Sequence, residues 1–236
     1  MQEILGFTRR AVQEYDMIQQ GDRIAVGVSG GKDSVVLLAA LAQLRRFLGI
    51  DYEVVALTAD LRVNNTEGDF SPIQKLCDEL GVEYVVRRTD LWDIIFNVRK
   101  ETNPCSLCSR MKRGLLHDMV KSTGCNKLAL GHHADDAIET FMMNLFNEGR
   151  IGCFSPVTYL SRKDITLIRP LVLAGERDIS RAARRANLPI IASGCPADGK
   201  TNRQWTKEWL EEMEKTHPGI KKRIFGAMKR AHVSEW

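Results

Sequence analysis

The sequence predicts an α/β fold: an open, mostly parallel, doubly wound sheet followed by a helical C-terminal tail. Three observations carry this reading. Short runs rich in β-branched residues alternate with segments of helical period, which implies parallel strands with helices on both faces. A turn with two glycines joins the first strand-like run to a long apolar helix. Each chemically rich segment follows a strand, where an open α/β sheet places its ligands.

Taken in order, residues up to about 20, opening MQEILGFTRRAVQEYDMI, read as an amphipathic helix. Its charges are spread throughout, so it lacks the continuous apolar core of a secretion signal. Strands are predicted at Arg23–Val28, Tyr52–Leu57, Glu83–Arg87 and Lys127–Leu130, and helices at Ser34–Leu48, Pro72–Leu80, Leu107–Lys121 and Asp135–Asn147. A further strand at Thr166–Ile168, a helix at Glu176–Ala186 and a short strand at Pro189–Ala192 follow. From Gln204 the chain reads as helix, with a break at His217-Pro218-Gly219. With 236 residues and no repeat, low-complexity tract or clear linker, 1–236 reads as a single domain, with the N-terminal helix and a tail of about 204–236 as its flanks.

Formal net charge is only +4, but the basic residues are bunched, as at Arg110 with Lys112-Arg113 and Arg181 with Arg184-Arg185. Bunching of this kind suits a polyanionic partner, although any one cluster alone also fits a solvated helix face. No segment approaches the roughly 18 uninterrupted apolar residues of a membrane span, so a cytoplasmic protein with no membrane partner is expected. Six cysteines are too few for a disulfide scaffold at this size, and closely spaced ones point to metal or redox chemistry.

The run Val28-Ser29-Gly30-Gly31-Lys32-Asp33-Ser34 carries the clearest chemistry. A strand feeding a helix through glycines offers free backbone N–H groups at a helix N-terminus, which favours phosphate. Two hydroxyls and the Lys32 cation add to this, and Asp33 can orient a magnesium ion. A Walker A loop would need glycine where Val26 stands, and no G-x-G-x-x-G occurs. Asp60 follows the second strand and Gly131-His132-His133-Ala134-Asp135-Asp136 the fourth, so one site can collect them all. Of the two aspartates, one is expected to cap the helix; Asp136 is the candidate for magnesium or proton chemistry.

Pro104-Cys105-Ser-Leu-Cys108 opens a helix, where both sulfurs can face one ion. Alone this pair fits a redox dithiol, half a zinc site or thiols without function. Cys195, in Ser193-Gly194-Cys195-Pro196, is a third candidate, and three cysteines can hold a [4Fe–4S] cluster with one iron free. Cys77, Cys125 and Cys153 read as core residues. Lys112, four residues past Cys108, shares its helix face and can neutralise phosphate or the reacting base.

Ser29-Gly30-Gly31-Lys32-Asp33-Ser34 resembles the SGGxDS signature of the PP-loop ATP pyrophosphatases. Within that superfamily, Cys105-Ser-Leu-Cys108-Ser-Arg-Met-Lys-Arg-Gly114, Gly131-His-His-Ala-Asp-Asp136 with Glu139-Thr140, Ile168-Arg-Pro-Leu171 and Pro189-Ile-Ile191 before Cys195 resemble the tRNA 2-thiocytidine synthetase (TtcA) family. The resemblance spans nearly the whole chain, in the family's order. It implies the adenine nucleotide α-hydrolase-like fold, and an enzyme that uses ATP to adenylate the C2 oxygen of cytidine 32 of tRNA and replaces it with sulfur. It also implies a [4Fe–4S] cluster on Cys105, Cys108 and Cys195, with Asp33, Lys112 and Asp136 as catalytic residues. ATP is then expected on Val28 to Ser34, Asp60, Gly131 and Asp136, and tRNA on Arg110, Arg113, Arg181, Arg184 and Arg185. Implied partners are tRNA and a sulfur donor, either a cysteine desulfurase or free sulfide; a homodimer stays open. One departure stands out: the family often has a second Cys-x-x-Cys pair where this chain has the lone Cys195. Two other readings of the same residues are a PP-loop ligase or thiolase acting on a small molecule, and a non-catalytic nucleotide-binding Fe–S redox sensor.

Overall fold

The computed structural model describes residues 1–99, 104–192 and 202–236. Six strands, β1 (Arg23–Gly27), β2 (Glu53–Asp60), β3 (Glu83–Arg88), β4 (Lys127–Ala129), β5 (Val157–Leu160) and β6 (Ile165–Ile168), form one sheet in the order β3-β2-β1-β4-β6-β5. All neighbours pair in parallel except β5 and β6, which form an antiparallel edge. The order reverses direction between β1 and β4, and the loops leaving their C-terminal ends part there into a crevice.

The helices are α1 (Gln2–Glu14), α2 (Lys32–Leu44), α3 (Ser71–Leu80), α4 (Leu91–Asp93, prolonged by a π-helical turn Ile94–Val98), α5 (Pro104–Ser122), α6 (Ala134–Glu148), α7 (Glu176–Arg185), α8 (Asn202–Thr216) and α9 (Ile220–Arg230). Helix α2 is apolar on all sides because it is covered on all sides: Val35 to Leu41 are buried between the sheet and the helices α1, α3 and α7. Leu37, Leu38 and Leu41 are fully buried, and each such side chain contributes about 1.5–3 kcal/mol by leaving water. The opposite face of the sheet is covered by α5, whose Met119 and Val120 pack with Ala25, Val55 and Leu128. Helices α8 and α9 close over α6, with Leu210 against Ile138 and Met142.

The predicted strand at Pro189–Ala192 does not form. Pro189 has no N–H to donate, and the Ile191 N–H bonds to the Gly30 carbonyl at 2.9 Å instead of to a strand. The sequence reading also lacked β5, a four-residue edge strand, and the helical stretch from Leu91 to Val98. The tail breaks where expected, between α8 and α9, with Gly219 capping the second of them. Among the described residues no helix is long and apolar enough to cross a membrane.

Candidate active site

The crevice between the ends of β1 and β4 is a cavity of about 400 Å³, lined at one end by Gly31, Asp33, Ser34, Asp136 and Arg203 and elsewhere by Leu57, Ala59 and Phe70. Its floor is the turn between β1 and α2. The Ser34 hydroxyl donates to the Gly31 carbonyl at 2.8 Å and accepts from the Ser29 N–H at 3.1 Å, which ties the turn into a closed loop. Gly30 adopts φ +86°, a left-handed conformation that favours glycine, and a Cβ there would stand 2.9 Å from the Ile191 Cβ. Gly131 is required for another reason: a Cβ on it would lie 3.0–3.1 Å from the backbone of Asp33 and Ser34, so only glycine lets the β4 loop press on the first turn of α2.

Helix α6 begins with a reciprocal cap in which His133 Nδ1 accepts from the Asp136 N–H and Asp136 Oδ2 accepts from the His133 N–H at 3.0 Å. The cap fixes Asp136 in the cavity. His133 Nε2 lies 3.4 Å from Asp136 Oδ2 and 3.8 Å from Asp33 Oδ1, so one imidazole stands between two carboxylates. Asp33 Oδ1 is buried without a hydrogen-bond partner among the described residues, an oxygen that suits a cation. Burial pushes the neighbouring His132 down to about 4, so that ring is neutral. Burial and the nearby Asp136 push Glu139, one turn along α6, up to about 7.

Two residues that sequence reasoning missed hold this arrangement from the tail. Arg203 donates to Asp136 Oδ1 at 2.8 Å and to Thr140 Oγ1 at 3.1 Å. Lys207, one turn further along α8, donates to both Glu176 oxygens at 2.8 Å. Lys32 reaches the same Glu176 at 3.0 Å and Asp33 Oδ2 at 3.3 Å, so the loop lysine bridges the turn and α7 at the rim of the cavity. Burial works against its charge, but hydrogen bonds from Lys207 and Lys32 hold the Glu176 carboxyl down at about 2. The Glu176 N–H in turn donates to Asp135 Oδ2 at 2.8 Å, so Asp135 caps α7 across the site and leaves Asp136 to the cavity.

A second cavity of about 620 Å³ adjoins the first, and the two share Ser29, Gly31, Ala59, Phe70 and Lys112. Asp60 lines the second, but its carboxylate is occupied by the N–H groups of Arg62 and Gly68 at 2.9 and 3.1 Å and so shapes the loop that walls it. Lys112 faces both lobes. Cys105 and Cys108, half-buried, lie two turns and one turn before it on α5. Cys195 lies outside the described residues, while Ile191 and Ala192, which precede it, line the second lobe. Among the described residues no three His, Cys, Asp or Glu side chains are gathered to hold a metal. The described part thus supplies two soft thiols on the helix that brings Lys112 to the cavity, and two thiols would need a third to hold an iron–sulfur cluster. Cys77 and Cys125 are buried in the core, and the Cys153 thiol donates to the Ala137 carbonyl.

Arg110 and Arg113 are exposed on α5, and Arg184 and Arg185 on the last turn of α7. Arg181 is engaged by Asp178 and by Glu3 at 3.2 Å.

A glycine turn at the switch point, closed by its own serine and pressed by the following parallel strand's loop, defines a protein of the PP-loop class. Residues 6–210 match the PP-loop domain. The chain is 39% identical over 226 residues to the tRNA-cytidine(32) 2-sulfurtransferase of Citrifermentans bemidjiense, covering 94% of this chain and 88% of that one. It is 40% identical over 222 residues to the protein of the same name from Geobacter sulfurreducens, covering 93% and 86%. Among solved structures, the U34-tRNA thiolase NcsA from Methanococcus maripaludis with its [4Fe–4S] cluster superposes with a TM-score of 0.75 at 24% identity, over 97% of this chain and 78% of that one. The chain belongs to the PP-loop family, in its tRNA-cytidine(32) 2-sulfurtransferase branch.

Proposed function

We propose that this protein is an ATP-dependent tRNA thiolase that replaces the C2 oxygen of a cytidine, that at position 32, by sulfur. The observation that carries the reading is the two-lobed cavity, in which the phosphate-binding turn and Lys112 line both lobes, with Lys112 on the helix that also carries Cys105 and Cys108. The polar end around Ser29 to Ser34 takes the phosphates of ATP, and Leu57, Ala59 and Phe70 offer its base an apolar wall. The second lobe takes the cytosine, which an anticodon loop can splay out at modest cost.

In the reaction the C2 oxygen attacks the α-phosphorus, the α–β phosphoanhydride bond breaks, and pyrophosphate leaves. Sulfide then adds to C2 and the C–O bond breaks, so that AMP departs with the original oxygen. Asp33 and Asp136 orient magnesium and the phosphates, and Lys112, between the lobes, neutralises charge on the transferring phosphoryl group. A [4Fe–4S] cluster on Cys105, Cys108 and Cys195 would hold the sulfide, supplied by a cysteine desulfurase or as free sulfide, close to the activated carbon. Arg110, Arg113, Arg184 and Arg185 bind the tRNA backbone.

The test is incubation of anaerobic protein with unmodified tRNA, ATP, magnesium and sulfide, followed by nucleoside mass spectrometry. 2-Thiocytidine should form together with AMP and pyrophosphate. ATP cleavage that does not respond to tRNA would move the reading to a small-molecule acceptor.

A further inference from the structure

Arg203 is the one arginine among the described residues that lines the first cavity, and it comes from the tail. Its guanidinium reaches across α6 and rests on Asp136 and Thr140, with Glu139 Oε2 3.6 Å away. A guanidinium carries five N–H donors in a fixed fork, so these contacts leave others for a further acceptor. The side chain is 42% exposed.

The surroundings identify that acceptor. The same end of the cavity holds Gly31, Asp33 and Ser34, at the N-terminus of α2, where the helix dipole favours an anion. Three carboxylates stand here too, Asp33, Asp136 and Glu139, and they repel a polyphosphate unless cations offset them. Lys32 is shared between Asp33 Oδ2 at 3.3 Å and Glu176 Oε1 at 3.0 Å, and Lys112 lines both lobes, as Ser29 and Gly31 do. Arg203 adds to these two lysines the one guanidinium that the described residues bring to the first cavity.

Resting on the ATP-binding reading above, we propose that Arg203 is a polyphosphate ligand of this site, so that the tail helix α8 completes the phosphate pocket that the β1–α2 turn begins. While anchored to Asp136 and Thr140, the guanidinium offers its remaining N–H groups to the β- and γ-phosphate oxygens, a charge-assisted contact of the strong kind.

The test is calorimetric titration of the full chain with inorganic pyrophosphate, with the uncleavable α,β-methylene analogue of ATP, and with adenosine. Arg203→Met should weaken pyrophosphate and the analogue by about tenfold to a hundredfold and leave adenosine within about twofold. Arg203→Lys should recover part of the loss. Arg150→Met, which removes an exposed arginine paired with Glu148 and absent from the cavity lining, should stay at wild type. Equal losses for adenosine and pyrophosphate would make Arg203 a structural residue, and unchanged pyrophosphate affinity would exclude it as a ligand; either overturns the proposal. A wild-type protein that binds no pyrophosphate overturns both this and the ATP reading. One that binds pyrophosphate through Arg203 yet never thiolates tRNA leaves the proposal standing and removes only the thiolation.

Discussion

The Ile191 N–H donates to the Gly30 carbonyl at 2.9 Å, which ties the chain after α7 to the middle of the phosphate-binding turn. The contact is close enough to forbid any side chain on residue 30. Gly30→Ala should therefore act twice, through the positive φ and through the clash with Ile191. We expect about 1–2 kcal/mol of lost stability from the backbone alone and loss of ATP cleavage. Ile191→Ala in the same chain should restore part of the stability in thermal melts; no restoration would mean that the two residues do not press on each other.

Asp33→Ala and Ser34→Ala should both abolish AMP formation, but for separable reasons. The Asp33 side chain is a third exposed, its Oδ1 holds no hydrogen bond among the described residues and its Oδ2 meets the part-exposed Lys32 at 3.3 Å, so its loss should change the melting temperature little. Ser34 is buried and its hydroxyl bonds both Gly31 and Ser29, so its loss should cost about 1–2 kcal/mol as well. Persistent AMP production in either variant would remove the turn from the chemistry.

Glu139 gives a pH signature. Burial and then Asp136 raise its carboxyl from 4.5 to about 7. Between those two values the folded protein keeps a proton that the unfolded chain has released, so stability falls as pH rises through this window. Glu139→Gln lacks that slope. Urea unfolding at pH 5 and pH 8 should show the variant gaining about 2 kcal/mol on wild type at the higher pH. A difference that does not change with pH would place the proton elsewhere.

Protein purified without oxygen should carry about four irons per chain if the thiols hold the cluster implied above. Cys105→Ala, Cys108→Ala and Cys195→Ala should each lose iron and its visible absorbance. Cys77→Ala should keep both, because that thiol is fully buried in the core and pushed up to about 12 by burial. Zinc in place of iron would defeat the assignment.

Binding of tRNA should weaken steeply with salt, since each neutralised phosphate adds roughly 0.7–0.9 to the slope of log affinity against log salt. The double change Arg184→Ala with Arg185→Ala, at an exposed helix end, should flatten that slope by about one to two units. Arg181→Ala should flatten it less, because Arg181 is already engaged by Asp178 and Glu3. A slope that these changes do not move would put the RNA on another face.

What could be read from the sequence was local. The β1 strand, the glycine turn and α2 are contiguous, and their composition departs far from that of an ordinary connection, so Val28 to Ser34 announced themselves. The alternation of strands and helices put each rich segment at the end of a strand, while the pairing of β1 with β4 is seen only in the fold. Edge strand β5 escaped because four residues with one exposed edge impose little pattern on side chains. Arg203 escaped because its meaning lies in a contact 67 residues back along the chain, with Asp136, and nothing around it in α8 marks it as different from other surface arginines. Lys32 was read as a phosphate cation, and only the fold shows that it also pairs with Glu176, which it shares with Lys207.

The position of α8 sets an order on biosynthesis. Ribosomes deliver β1, α2, β4 and the head of α6 well before the tail, and this part of the chain can begin to fold as it emerges. A nascent chain at that stage already holds Asp33, Asp136 and Glu139 around the turn, but has neither Arg203 to offset them nor Lys207 to share Glu176 with Lys32. Its cavity keeps Lys112, but Asp136 stands there without its arginine partner. If Arg203 is the phosphate ligand proposed above, full affinity arrives only with the last helices, and a chain cut short before α8 should bind pyrophosphate as weakly as Arg203→Met.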